Sequence, residues 1–214
     1  TVWKHVTRHP ANYPRDLDAV TTRIAASPAS GTKGLKPAVL KLMRAQESLN
    51  TAFNKALSEQ SSSADSAGML TQYAMTDDPD MILLALNSTK DISSDANKRV
   101  FLESVAAGAL RRQDPTLRSA FFHAAATIHS PGDLRVVLVA AIPYGHGDPD
   151  VSLAIFHAVR DQVNSDGDKR VTLVTAVEQG LLRNSSVRDA FMSAARSIDS
   201  SSDYASVMQA VFKQ

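Results

Sequence analysis

The sequence predicts an all-α solenoid, a row of helix pairs in which each pair stacks on the next. Three observations carry that prediction. First, a pattern returns every 35 or 36 residues: Ile92-Ser-Ser-Asp-Ala-Asn-Lys-Arg-Val-Phe-Leu102 comes back from Ile128 to Leu138 and from Val163 to Leu173, and more loosely from Ile198 to Met208. A fixed period of this size marks units that bury their apolar faces only against their neighbours. Second, apolar residues inside each period follow helical spacing, as in Leu117, Ala120, Phe121, Ala124, Ile128 and again in Val187, Ala190, Phe191, Ala194, Ile198. Third, each period carries two helix-start signals.

The first start is a serine with an acidic or amide residue three positions on: Ser94 and Asn97, Ser130 and Asp133, Ser165 and Asp168, Ser200 and Asp203. The hydroxyl can accept from a first-turn amide, and the acid or amide is expected to reach back to the cap as a variant capping box. The second start is Asp-Pro at Asp78, Asp114 and Asp148, with Asn184-Ser185 in its place in the last pair. Proline suits a first helical position because no amide is needed there. Leu117, Phe121, Leu138, Leu173 and Phe191 are the expected core between units.

Taken in order, the first twelve residues, with Trp3, His5 and His9, read as an irregular arm. Residues 14–26 read as a helix and 27–34 as a Ser/Gly/Pro-rich connection. Pro37 to Ser58 is the longest helix, expected to cover the open end of the repeats. Gln60 to Asp65 is a loop and a boundary, so the domains are 1–60, an arm and helical cap, and 61–214, about four repeats with the last truncated. The first repeat, 61–91, is weak, with the segment from Asp65 to Leu70 standing in for the cap.

Composition agrees. The chain has 214 residues, 43% hydrophobic and only 6% aromatic, which suits helices packed through Ala, Leu and Val. Charge is uneven: residues 1–60 hold nine Lys/Arg against four Asp/Glu, and the remainder is net acidic. The absence of cysteine excludes a disulfide, a thiolate metal site and a Cys nucleophile. No apolar run is long enough to span a bilayer. The chain begins at Thr1, so a missing leader is uninformative, and the compartment stays open between cytoplasm and a periplasmic or secreted location.

No catalytic constellation, metal site or cofactor motif stands out, and no enzyme is expected. Asn164 to Asp168 lacks the glycine and glutamate of a calcium loop. His146, Asp148 and Asp150 could ligate a metal, but Asp148 is better read as a cap. His123 and His157 each lie nine residues after a second-helix cap, with Asn87 and Ser193 at the same place in the flanking pairs. Phe122 and Phe156 precede them. Arg99, Arg135 and Arg170 recur on the first helices, as an internal ladder or an alternative binding stripe.

The stretches Ser-Asp-Gly-Asp-Lys-Arg-Val and Ser-Ile-Asp-Ser-Ser-Ser-Asp-Tyr, across residues 92–214, resemble HEAT-like α-helical repeats, and in particular the repeats of about 35 residues found in bacterial sensor and envelope proteins. The resemblance implies a right-handed solenoid of stacked antiparallel helix pairs, with an N-terminal helical extension, that binds a partner protein on its concave face. The expected face comprises Asn87, Phe122, His123, Phe156 and His157. HEAT-like DNA glycosylases use a basic groove with aromatic groups. The acidic repeats here hold no Trp, which makes nucleic acid an unfavoured partner. The alternatives are binding of nucleic acid or an anionic surface through the basic residues 1–60, and an architectural spacer in a larger protein.

Overall fold

A computed structural model describes residues 37–213 except 77, with side chains from Glu47 onward. The expectations for residues 1–36, the arm, the helix at 14–26 and the connection at 27–34, lie outside the described residues. The chain divides into two compact units, 1–60 and 61–214. In the first, a single helix, α1 (Pro37–Ser58), is described. It buries Phe53 and Leu57.

The second unit holds α2 (Ser63–Ala74), α3 (Pro79–Asn87), α4 (Asp95–Leu110), α5 (Pro115–Ala125), α6 (Pro131–Ala141), α7 (Pro149–Asp161), α8 (Asp166–Glu178), α9 (Ser185–Ala195) and α10 (Ser201–Phe212). No strand occurs among the described residues. Short 3-10 turns follow α3 (Thr89–Asp91) and α6 (Ile142–His146). Repeats 1 to 4 are the successive pairs α2–α3, α4–α5, α6–α7 and α8–α9, with α10 after them. The first helices form one row, α2 on α4 on α6 on α8 on α10. The second helices form another, α3 on α5 and α7 closely on α9, with only slight contact between α5 and α7.

Helix starts are where the sequence places them. Ser94, Ser130, Ser165 and Ser200 accept from the amides of Asn97, Asp133, Asp168 and Asp203 at 3.3–3.4 Å. Asp78, Asp114, Asp148 and Asn184 cap the second helices in the same way. Two details differ from expectation. In repeat 1 the cap is Ser62, not the segment from Asp65, so α2 starts at Ser63 and the preceding loop is shorter. The acid three residues into the helix returns to the cap only at Asp65, which accepts from the Ser62 hydroxyl at 2.7 Å. At Asp133, Asp168 and Asp203 it serves the preceding repeat instead.

Two glycines sit where a side chain would be strained or crowded. Gly180 has φ +70° and ends α8 with the Leu181 amide bonded back to the Ala176 carbonyl, a Schellman stop. At Gly145 a Cβ would lie 2.5 Å from Ser152 Oγ, because the turn after α6 presses on α7.

The core runs between the two rows. Leu117, Phe121, Leu138, Leu173 and Phe191 are all buried, as expected. Phe121 meets Phe122 edge-on at 5.4 Å, and Phe156 meets Phe191 across the α7–α9 junction at 5.5 Å. Large-to-small changes at such positions lose both transfer energy and packing. Phe121→Ala is therefore expected to destabilise the protein by about 3–5 kcal/mol, and Ser130→Ala by about 0.5–2 kcal/mol through its cap. Urea unfolding of the two variants beside the wild type measures both; a Phe121→Ala protein as stable as wild type contradicts this core.

Candidate functional site

The polar groups of the first-helix row are used to fasten one repeat to the next. Arg99 donates to Asp133, Arg135 to Asp168 and Arg170 to Asp203, each from Nε at 2.8–2.9 Å. The acceptor is the capping-segment acid of the following repeat. Repeat 1 has Ala67 at the arginine position, and repeat 2 correspondingly has neutral Asn97 at the acceptor position. The arginine side chains are 31–39% exposed, so each pair contributes on the order of 0.2–1 kcal/mol. Arg99, Arg135 and Arg170 thus form an inter-repeat ladder.

A second device is complete at alternate junctions; at the first junction only Ser63 accepts, from the Ser94 amide at 3.0 Å. Asp95 accepts from the amides of His129 and Ser130, both at 2.9 Å. Beside it, buried Lys98 donates to the Thr127 carbonyl at 2.7 Å and lies 3.5 Å from Asp95. Asp166 and Lys169 repeat this toward Asp199, Ser200 and the Ser197 carbonyl. We term this arrangement a clasp. Burying a lysine so deeply is costly, and these partners offset the cost. In repeat 3 the corresponding residues are Pro131 and Leu134, which can do neither.

On the second-helix row, the poor contact between α5 and α7 leaves a groove of about 390 Å³. Its small-residue walls are Pro115 on α5 and Ala126 just after it, with Ala154 and Ala158 on α7. Phe122, His123 and His157 also line it. Both histidines are exposed and Phe122 is half-buried. His123 Nδ1 lies 3.4 Å from Ser119 Oγ. At the α7 end, Asp161 accepts two hydrogen bonds from Arg160, at 2.6 and 2.7 Å. These hold its carboxyl below the usual carboxylate range, and His157 adds a smaller contribution.

One end of the groove is strapped shut. Arg118 donates to buried Asp148 and, at 2.8 Å, to Asp150. The Gln113 amide donates to the Gly147 carbonyl at 2.8 Å. Asp148 is thereby fully engaged as a cap and an arginine partner. Among the described residues, no group of three or more His, Cys, Asp or Glu is placed to hold a metal ion.

The expected binding residues therefore divide. His123, His157 and Phe122 meet in the groove. Asn87 is exposed at the equivalent place on α3 but does not line it. Phe156 lies outside the surface altogether: it has no exposed area and stacks on Phe191, because α7 is pressed onto α9. Reading the sequence missed the clasp and the strap. Asp-x-x-Lys at 95–98 and 166–169 was the available signal for the clasp; Arg118 gave none, since Ile82 and Ser152 stand at its place in the neighbouring repeats. Comparison with protein-family models, curated proteins and solved structures finds no match. Among the described residues, no helix is long and apolar enough to cross a membrane.

The Asp95 carboxyl sets a pH dependence. Burial works against its charge, but the amides of Ser130 and His129 and the Lys98 ammonium outweigh burial and hold it below the ordinary carboxylate range. A carboxyl with a lowered folded pKa stabilises the fold fully above its unfolded value, about 4. That contribution disappears as pH falls through the lower folded value. Asp95→Asn is thus expected to be less stable than wild type at neutral pH, with the difference shrinking below about pH 4. Thermal melts of both proteins across that range read the convergence; a constant difference would refute the assignment.

Proposed function

We propose that this chain is a non-enzymatic scaffold: a HEAT-like, right-handed solenoid of antiparallel helix pairs that binds a partner protein on its concave, second-helix face. The observation that carries the reading is the α5–α7 groove. Elsewhere along the second row the helices close on each other, whereas here Phe122, His123 and His157 stand over a space filled by no side chain. A half-exposed aromatic beside exposed polar groups suits an anchor-and-orient mode of protein binding, in which the apolar group supplies energy and the polar groups set direction. Asn87 extends the same face toward repeat 1.

A second reading rests on the excess of Lys/Arg in residues 1–60, which suits nucleic acid or an anionic surface. The two readings differ in salt response, since phosphate binding weakens steeply as salt rises. The test is capture from the native source on immobilised protein, with the binder identified by mass spectrometry and its affinity then measured. We expect one protein to be retained at moderate salt, and a His123→Ala, His157→Ala double variant to lose about tenfold or more in affinity, roughly 1.4 kcal/mol. The fold should be unchanged, because both side chains are exposed. Normal binding by the double variant, or retention of nucleic acid that salt abolishes, would displace this reading.

A further inference from the structure

The four junctions along the repeats are held in different ways, and the differences are ordered. Between repeats 1 and 2 and between repeats 3 and 4, the second helices close on each other, α3 on α5 and α7 on α9. The latter pair is locked by the edge-to-face contact of Phe156 and Phe191. Neither has the full clasp: at the first, Ser63 accepts from the Ser94 amide at 3.0 Å with no lysine beside it, and at the second Pro131 and Leu134 stand in its place. The clasp occurs at the two others. One joins repeat 4 to α10, where no second helix follows among the described residues. The other joins repeats 2 and 3, where α5 and α7 stand apart over the groove. The aspartate–lysine clasp on the first row is thus found at the two junctions where close packing on the second row is absent.

We propose that the junction between repeats 2 and 3 is a hinge, with its axis along the α4–α6 edge and the α5–α7 groove as its mouth. Tightly packed helices resist relative rotation, because it opens voids and forces side chains off their rotamers. Rotation of α7 away from α5 or toward it sacrifices little packing, since little exists. The bonds of Asp95, Lys98 and Arg99 lie on the opposite row and keep the two repeats attached throughout such a movement. The strap from Arg118 to Asp148 and Asp150, with Gln113 on Gly147, ties the helix N-termini and limits the opening. This is hinge motion confined to one junction. It concerns movement and stands independently of what occupies the groove.

The absence of cysteine makes the test direct. Spin labels on a His123→Cys, His157→Cys protein report the distance across the groove by pulsed electron resonance. Labels on a His157→Cys, Ser193→Cys protein report the same helix-to-helix relation across the closed junction. We expect a clearly broader distribution across the groove than across the closed junction. Adding Arg118→Gln should shift the groove distribution toward longer distances by several ångströms and leave the other pair unchanged. If Arg118→Gln prevents folding, Gln113→Ala releases the second tether and should produce the same shift more weakly. Equal widths for the two pairs, or a groove distribution that neither strap variant moves, overturns the proposal.

Discussion

The structure depends on what happens at the first turn of each first helix. Four amides there lack intrahelical partners, and the capping serine satisfies only one of them directly. The neighbouring repeat completes the turn. The carboxylate at Asp133, Asp168 or Asp203 receives an arginine from the repeat before it, and at alternate junctions an upstream aspartate takes the two amides at the cap itself. A local device for starting a helix has become the means by which repeats recognise one another. This explains why polar residues recur alongside the apolar ones. The apolar positions fix that helices will stack; the polar ones fix which turn faces which.

The site follows from an imbalance between the rows. α6 stops early, and the turn from Ile142 to His146 lies against α7, with Gly145 allowing the close approach and Ser152 bonding to its carbonyl. α7 is thus packed on its own turn and on α9 rather than on α5. The groove is the space left over, walled by alanines and bordered by the two histidines. It is a consequence of helix placement.

Much of this was legible in the sequence. The period, the caps and the core at Leu117, Phe121 and Phe191 could be read because helix starts and amphipathic spacing are local properties. The exposure of His123 and His157 was legible from their shared place in the period. Phe156 was not, since equivalence with half-exposed Phe122 holds only if neighbouring junctions are alike, and the α7–α9 junction is tighter than the α5–α7 one. The partners of Arg99 and Lys98 were equally hidden: each lies about one period away, and no local pattern distinguishes a solvated cation from one that reaches the next cap. The serine half of the capping box holds at Asp133 and Asp168, but their carboxylates take arginines in place of the cap for that reason.

The fastening has a direction. Asp95, Lys98, Arg99, Arg135, Asp166 and Arg170 all lie upstream of the groups they serve, on a helix that precedes its client by about one period. A chain made from its N-terminus therefore displays each template before the segment that needs it has been synthesised. Once formed, α4 offers a carboxylate and a guanidinium in the right places for the start of α6, so nucleation, the costly step in making a helix, is assisted by structure already in place.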